Sequence, residues 1–177
     1  GGTDEVVRTT VVDVATGVES SVPAMAPSAH SAVWAPDGQA LAWLTEVDGV
    51  AFIASASPVE SAAHVHSGSA LVTTPPAWSP HGGAVAFAAC RGTAVDRSRP
   101  FRWTRPILSF DGIGPLEDPP QLRVLDTVTG EGRWLSDDGW RWGTPRWSLD
   151  GTRLAVPVSI DPEGRRTGSH LRIVTSA

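Results

Sequence analysis

Three stretches of the chain share one wording. They read "SAVWAPDGQALAWL" (residues 31–44), "TPPAWSPHGGAVAFAAC" (residues 74–90) and "TPRWSLDGTRLAVP" (residues 144–157). A repeat constrains a fold more than a lone motif does. Each copy must be one supersecondary unit that cannot bury its apolar face without a neighbour. Trp34 and Trp78 lie 44 positions apart; Trp78 and Trp147 lie 69 apart, one unit plus an insertion. A second phrase keeps the same phase. "VVDVATG" ends at Gly17 and "VLDTVTG" at Gly130, each 17 positions before the next Trp of the set. The middle copy of this phrase has decayed to "IASASPVES" (residues 53–61).

Each phrase has a strand-and-turn reading. Pro36 fixes φ for a turn, Asp37 can bond the local backbone, and Gly38 takes a positive φ. Leu41 to Leu44 then alternate between two faces. "TTVVDVATGVESSV" is a β-branched strand, a Thr-Gly turn and a second strand. The unit is therefore four short antiparallel strands, a to d, with "PDG" joining a to b and "TG" joining c to d. No segment has a helical period. The expected class is all-β: a β-propeller of four-stranded antiparallel blades. The strand count runs c-d, a-b-c-d, a-b-c-d, a-b-c, about three and a half blades. Residues 1–177 are read as one partial propeller domain. Its pieces are 5–25, 30–62, 73–136 with an insertion at 91–120, and 143–177. A closed ring needs about four to eight blades. The chain is therefore either a fragment of a longer propeller, or it closes the ring with another chain or a second copy, two copies giving about seven blades.

Composition excludes several classes. The net charge of −5 gives no general affinity for nucleic acid. No apolar run approaches the ~20 residues of a membrane span. The first residues, "GGTDEVV", lack a secretory h-region, so a cytoplasmic location is expected, with secretion left open because the chain does not begin with Met. All 14 basic residues are Arg, and Lys, Asn and Tyr are absent, which suggests a GC-rich, actinobacterial gene. The single Cys90 rules out an internal disulfide and a multi-cysteine metal site; it reads as a small buried hydrophobe. No cofactor is expected.

The "WAPDGQALAWL" wording resembles the repeats of TolB-type propellers and of the N-terminal propeller of the prolyl oligopeptidase family. Residues 101–156, "FRWTRPILSFDGIGPLEDPPQLRVLDTVTGEGRWLSDD…TPRWSLDGTRLAV", look like the acylaminoacyl-peptidase-like branch of that family. The resemblance implies a propeller that caps a separate α/β-hydrolase domain and filters peptide substrates. It places the Ser-Asp-His triad in that other domain. This chain has no "GxSxG" elbow, so no catalytic residue is expected in it. The alternative is a stand-alone TolB-type module that binds a protein or a ligand. The chain departs from the pattern at His81, where a turn Asp is usual, and at Leu149, where a turn Pro is usual.

Strand polarity collects the elaborate loops on one face. These are the b-c insertion at 91–120, the d-a loop at 136–145 and the b-c loop at 159–169. Long loops at one end of a rigid scaffold are where function concentrates. The candidate binding face comprises Arg97, Arg99, Arg102, Trp103, Arg105, Asp111, Trp140, Arg141 and Trp142. Its arginines could hold a carboxylate. The plainer reading pairs the insertion's arginines with Asp111, Glu117, Asp118, Asp137 and Asp138, and buries one Trp between blades. Trp34, Trp78 and Trp147 are expected in the core. His64 and His66 in "HVH" could chelate a metal from one strand face, but no Cys or nearby carboxylate completes such a site.

Overall fold

The computed structural model describes residues 9–22, 29–47, 50–59, 62–66, 71–91, 119–159 and 169–176. Those residues form β-strands, turns and irregular segments, with no helix among them. The first sheet is the hairpin of β1 (Thr10–Val12) and β2 (Glu19–Ser21). The second runs β3 (His30–Trp34), β4 (Leu41–Val47), β5 (Val50–Ala56), β6 (His64–His66), each antiparallel to the next. In the third, β7 (Leu71–Val72) and β8 (Ala77–Trp78) both pair β9 (Ala84–Cys90), followed by β10 (Gln121–Asp126) and β11 (Gly132–Trp134). In the fourth, β12 (Arg141–Trp142) and β13 (Arg146–Trp147) both pair β14 (Arg153–Ser159), which pairs β15 (Ser169–Thr175). The strand order is the predicted one, and the fold is a partial β-propeller.

The inner strand a is broken wherever proline enters it. Pro75 and Pro76 separate β7 from β8, and Pro145 sits between β12 and β13. Proline has no N–H for the ladder, so pairing stops and resumes. Side chains fill part of the gap: the Thr74 hydroxyl accepts the amide of Ala88 at 2.8 Å.

The two repeated turns are built alike in each copy. In the a-b turn Gly38, Gly82 and Gly151 have φ of 69°, 82° and 70°. Their amides donate to Ala35, Ser79 and Ser148 at 2.9, 3.0 and 2.9 Å. In the c-d turn the Asp13 carboxylate accepts the amides of Ala15 and Thr16, and Asp126 accepts those of Val128 and Thr129. These bonds favour the ionised form and lower the pKa of both aspartates.

Three apolar layers lie between successive sheets. Strand alternation sends odd and even positions of each b strand to opposite neighbours. Leu41 and Trp43 pack toward the first sheet with Val22 and Ala29, while Ala42 and Leu44 meet Val85, Phe87 and Leu125 of the third. Ala86, Ala88, Leu122 and Val124 then meet Leu154, Val156 and Val158 of the fourth. Cys90 is buried, as its apolar run predicts.

The repeat tryptophans do a second job. The Trp78 indole N–H donates to the Val33 carbonyl at 3.2 Å, and that of Trp147 donates to the Ala77 carbonyl at 2.9 Å. Each acceptor is the residue just before the preceding repeat Trp, so the inner strands are stapled in series. Trp78 and Trp147 pack against the apolar layers, half-buried. The expectation that Trp34 is core is corrected: it is 47% exposed. The first sheet has only c and d strands among the described residues, so nothing there covers Trp34 or offers it a carbonyl.

Candidate functional site

The stubs of the elaborate loops come together at one end of the third and fourth sheets. Arg91, the first residue of the insertion, donates to the Ser136 carbonyl at 3.0 Å and pairs with Asp137 at 3.5 Å. Arg141, in the d-a loop, lies opposite Ser159, which lies opposite Ser169. Arg97, Arg99, Arg102, Trp103, Arg105 and Asp111 fall outside the described residues, as do 160–168.

The loop at 136–142 owes its shape to two side chains. Buried Gln121 donates to the Pro119 and Trp140 carbonyls at 3.2 and 2.9 Å. Its Oε1 accepts the Ser136 hydroxyl at 2.9 Å and the Asp138 amide at 3.4 Å. Asp138 accepts the Trp142 indole N–H at 2.9 Å and the Trp140 amide at 3.2 Å. Its other oxygen pairs with the guanidinium of Arg172. That guanidinium lies 3.9 Å from the centre of a Trp140 ring and 5.6 Å from one of Trp142. Stacking and charge pairing fix its plane.

The expected tryptophans therefore divide. Trp142 is 2% exposed and packs with Leu154 and Val156 between sheets; it is a packing residue. Trp140 is half-buried under Arg172. Arg141 is exposed on the opposite side of its strand from Trp142. One insertion arginine follows the plain reading, Arg91 with Asp137; Asp138 is taken by Arg172 instead.

A second arginine cluster lies beside this one. The Trp134 ring has Arg91 at 4.9 Å and Arg123 at 5.2 Å. The Arg123 guanidinium fills the space left by Gly132, where an added Cβ would sit 2.5 Å from Nη2. Its Nε is buried with no partner, and burial lowers its pKa. Sequence reasoning missed Gln121, Arg123 and Arg172. A signal was present: "QLRVLDT" (residues 121–127) and "HLRIVTS" (residues 170–176) are the same c strand written twice.

His64 and His66 touch edge to face, ring centres 4.6 Å apart. His66 is buried, its Nε2 is 2.8 Å from the Ser55 hydroxyl, and its Nδ1 has no partner. Burial first, then the nearby His64, lowers its pKa to about 4, so it is neutral at pH 7. Among the described residues no group of three or more His, Cys, Asp or Glu could hold a metal ion. His81, at the turn position where Asp is usual, reaches the next blade, its Nε2 lying 3.3 Å from the Asp150 carbonyl.

No protein-family model and no curated protein matches the sequence. Solved structures do match the fold. A TolB from Agrobacterium tumefaciens aligns with a TM-score of 0.63 and 16% identity, over 94% of this chain and 50% of that one. An oligogalacturonate lyase from Vibrio parahaemolyticus gives 0.58 and 15%, over 99% of this chain and 44% of that one. A prolyl endopeptidase gives 0.57 and 13%, over 91% of this chain and 23% of that one. The chain thus spans half or less of these structures. At these identities the likeness is one of fold: a partial β-propeller that superposes on a TolB, an oligogalacturonate lyase and a prolyl endopeptidase.

Proposed function

We propose that this module is the lid of a serine peptidase resembling the prolyl oligopeptidase family, with the hydrolase domain outside these 177 residues. The observation that carries the reading is the block "FDGIG…LRVLDTVTGE…WSLDG". Its described part, from Gln121 to Gly151, folds as the c and d strands of one blade and the inner strand of the next. The likeness to a prolyl endopeptidase supports it at the level of fold. The loop end around Arg91, Ser136–Trp142 and Arg172 is the face that meets the hydrolase or the entering peptide.

The purified chain should then not cleave acyl-peptide or aminoacyl-amide substrates. Hydrolysis that persists through repeated purification, and is lost on substituting a serine of this chain, would overturn the reading. The stronger likeness to TolB favours a second reading, a stand-alone binding module on the same loop face. The two readings differ in whether a serine hydrolase travels with the chain.

A further inference from the structure

The repeated c strand carries one arginine in each copy, and the two arginines are treated differently. Arg172 lies opposite Val156, on the face that packs on the third sheet. Arg123 lies opposite Phe87, on the face that packs on the second. They hold the same position in successive layers. Arg172 has its counter-charge within the chain: Asp138, from the loop leading into its sheet, pairs with its guanidinium, and Trp140 stacks on it. The loop leading into the third sheet has the same length. Trp134 to Trp147 spans 13 positions and so does Val65 to Trp78, which sets the uncharged Ser69 where the later loop has Asp138. Ser69 itself falls outside the described residues. Arg123 has no carboxylate partner among the described residues, and the neighbouring Arg91 already holds Asp137. The Arg123 guanidinium lies over Gly132 and against Trp134, and its Nε is buried and unpaired.

The opposing wall of the same layer is polar where its counterpart is apolar. His66 lies opposite Ile53, and Ser55 opposite Ala42, on the face of the second sheet that packs on the third. The matching residues one sheet on are Leu135 and Val124, and both pack in the apolar layer against the fourth sheet. Among the described residues, the buried side-chain nitrogens without a partner are Arg123 Nε and His66 Nδ1. They belong to the two walls of one layer. Native interiors rarely leave such groups unpaired, and a bound ion is one way of satisfying them. A buried guanidinium without a counter-charge is the costlier of the two.

We propose that Arg123 anchors a carboxylate ligand between the second and third sheets, in the role that Asp138 fills for Arg172, with His66 as a second donor. A guanidinium fork matches both oxygens of one carboxylate. With the Ser55 hydroxyl donating to Nε2, His66 carries its proton on Nδ1 and donates it. This site goes beyond the lid reading and does not rest on it.

Side-chain NMR of the purified protein tests the site, with sodium acetate as the probe. The Arg123 Nε–H signal should shift saturably, while that of Arg172, already paired, should not. An N-acetylated dipeptide with a free C-terminus distinguishes two sources of the carboxylate. Binding at least about tenfold tighter than acetate assigns the site to a peptide end, and equal binding assigns it to a small acid. The dipeptide amide should not bind in either case. Affinity in the variants is read from the Trp134 indole N–H signal. Arg123→Gln should weaken acetate binding at least about tenfold, and Arg123→Lys, which keeps the charge but loses the fork, should fall between it and wild type. His66→Leu, which writes the leucine of the next layer into this one, should weaken binding several-fold. The absence of a saturable shift at Arg123, an equal shift at Arg172, or tighter binding of inorganic phosphate than of acetate would overturn the proposal. Undiminished binding in His66→Leu would overturn the second donor. Circular dichroism of each variant separates lost binding from lost folding, and the wild-type titration needs no variant at all.

Discussion

At the scale of the residue, each repeat tryptophan is both apolar filler and donor. An intramolecular hydrogen bond contributes about 1 kcal/mol, and a buried carbonyl left unpaired costs somewhat more. Trp78→Phe and Trp147→Phe should therefore each lose about 1–2 kcal/mol in urea unfolding. Trp34→Phe should lose less in the single chain, because its indole bonds no described carbonyl. Equal losses at all three positions would contradict the serial staple. His66 makes a pH prediction. Its pKa is about 4 in the fold and 6.5 in the unfolded chain, so the unfolded chain binds more protons between those values. Stability is then full above about pH 6.5 and falls as the pH drops toward 4, by up to about 3 kcal/mol. His66→Gln should flatten that slope, and an unchanged slope would remove His66 as its cause. The sequence marked the repeat tryptophans as core but did not show which had a neighbour to bond. That depends on a sheet preceding Trp34, which no single phrase of the repeat encodes.

At the scale of the element, turn chemistry was the most legible feature. Gly38, Gly82 and Gly151 take the positive φ their turns need, although the residue before each glycine varies as Asp, His and Asp. The backbone bond closing the turn does not use that side chain, which is why His81 is tolerated. The broken inner strands were also written in the prolines. Less legible was the loop at 136–142, whose order comes from Gln121, a residue in a different strand. Three of its four bonds reach residues 15 to 19 positions away and leave no local signal. Gln121→Ala should strip the Trp140 carbonyl of its side-chain donor and the Ser136 hydroxyl of its acceptor. We expect a loss of about 2–3 kcal/mol and faster amide exchange across residues 136–142 than in β9. Uniform exchange would mean that the loop is held by something else. Among the tryptophans of that loop, alternation on β12 alone would have sent Trp142 inward and Arg141 outward. The sequence pattern carried that distinction only once the short strand was recognised.

At the scale of the whole molecule, the repeat made the propeller legible, and the phase between its two phrases made the missing strands countable. What covers the two ends was not legible, since an apolar face reads the same whether its neighbour belongs to the same chain or to another. The candidate face was legible as a cluster of loops, but the contacts that order it were not: Arg172 lies on the last described strand, far in sequence from the tryptophan and aspartate it binds. The central claim is that the module works as the cover of a serine hydrolase. It is tested most directly by isolating the protein from its own cells under native conditions and treating it with a fluorophosphonate that labels active serines. A labelled α/β-hydrolase domain, joined to this sequence or bound to it, is the expected result. Native material that contains this propeller, retains its fold and carries no labelled hydrolase would contradict the claim and leave the binding-module reading in its place.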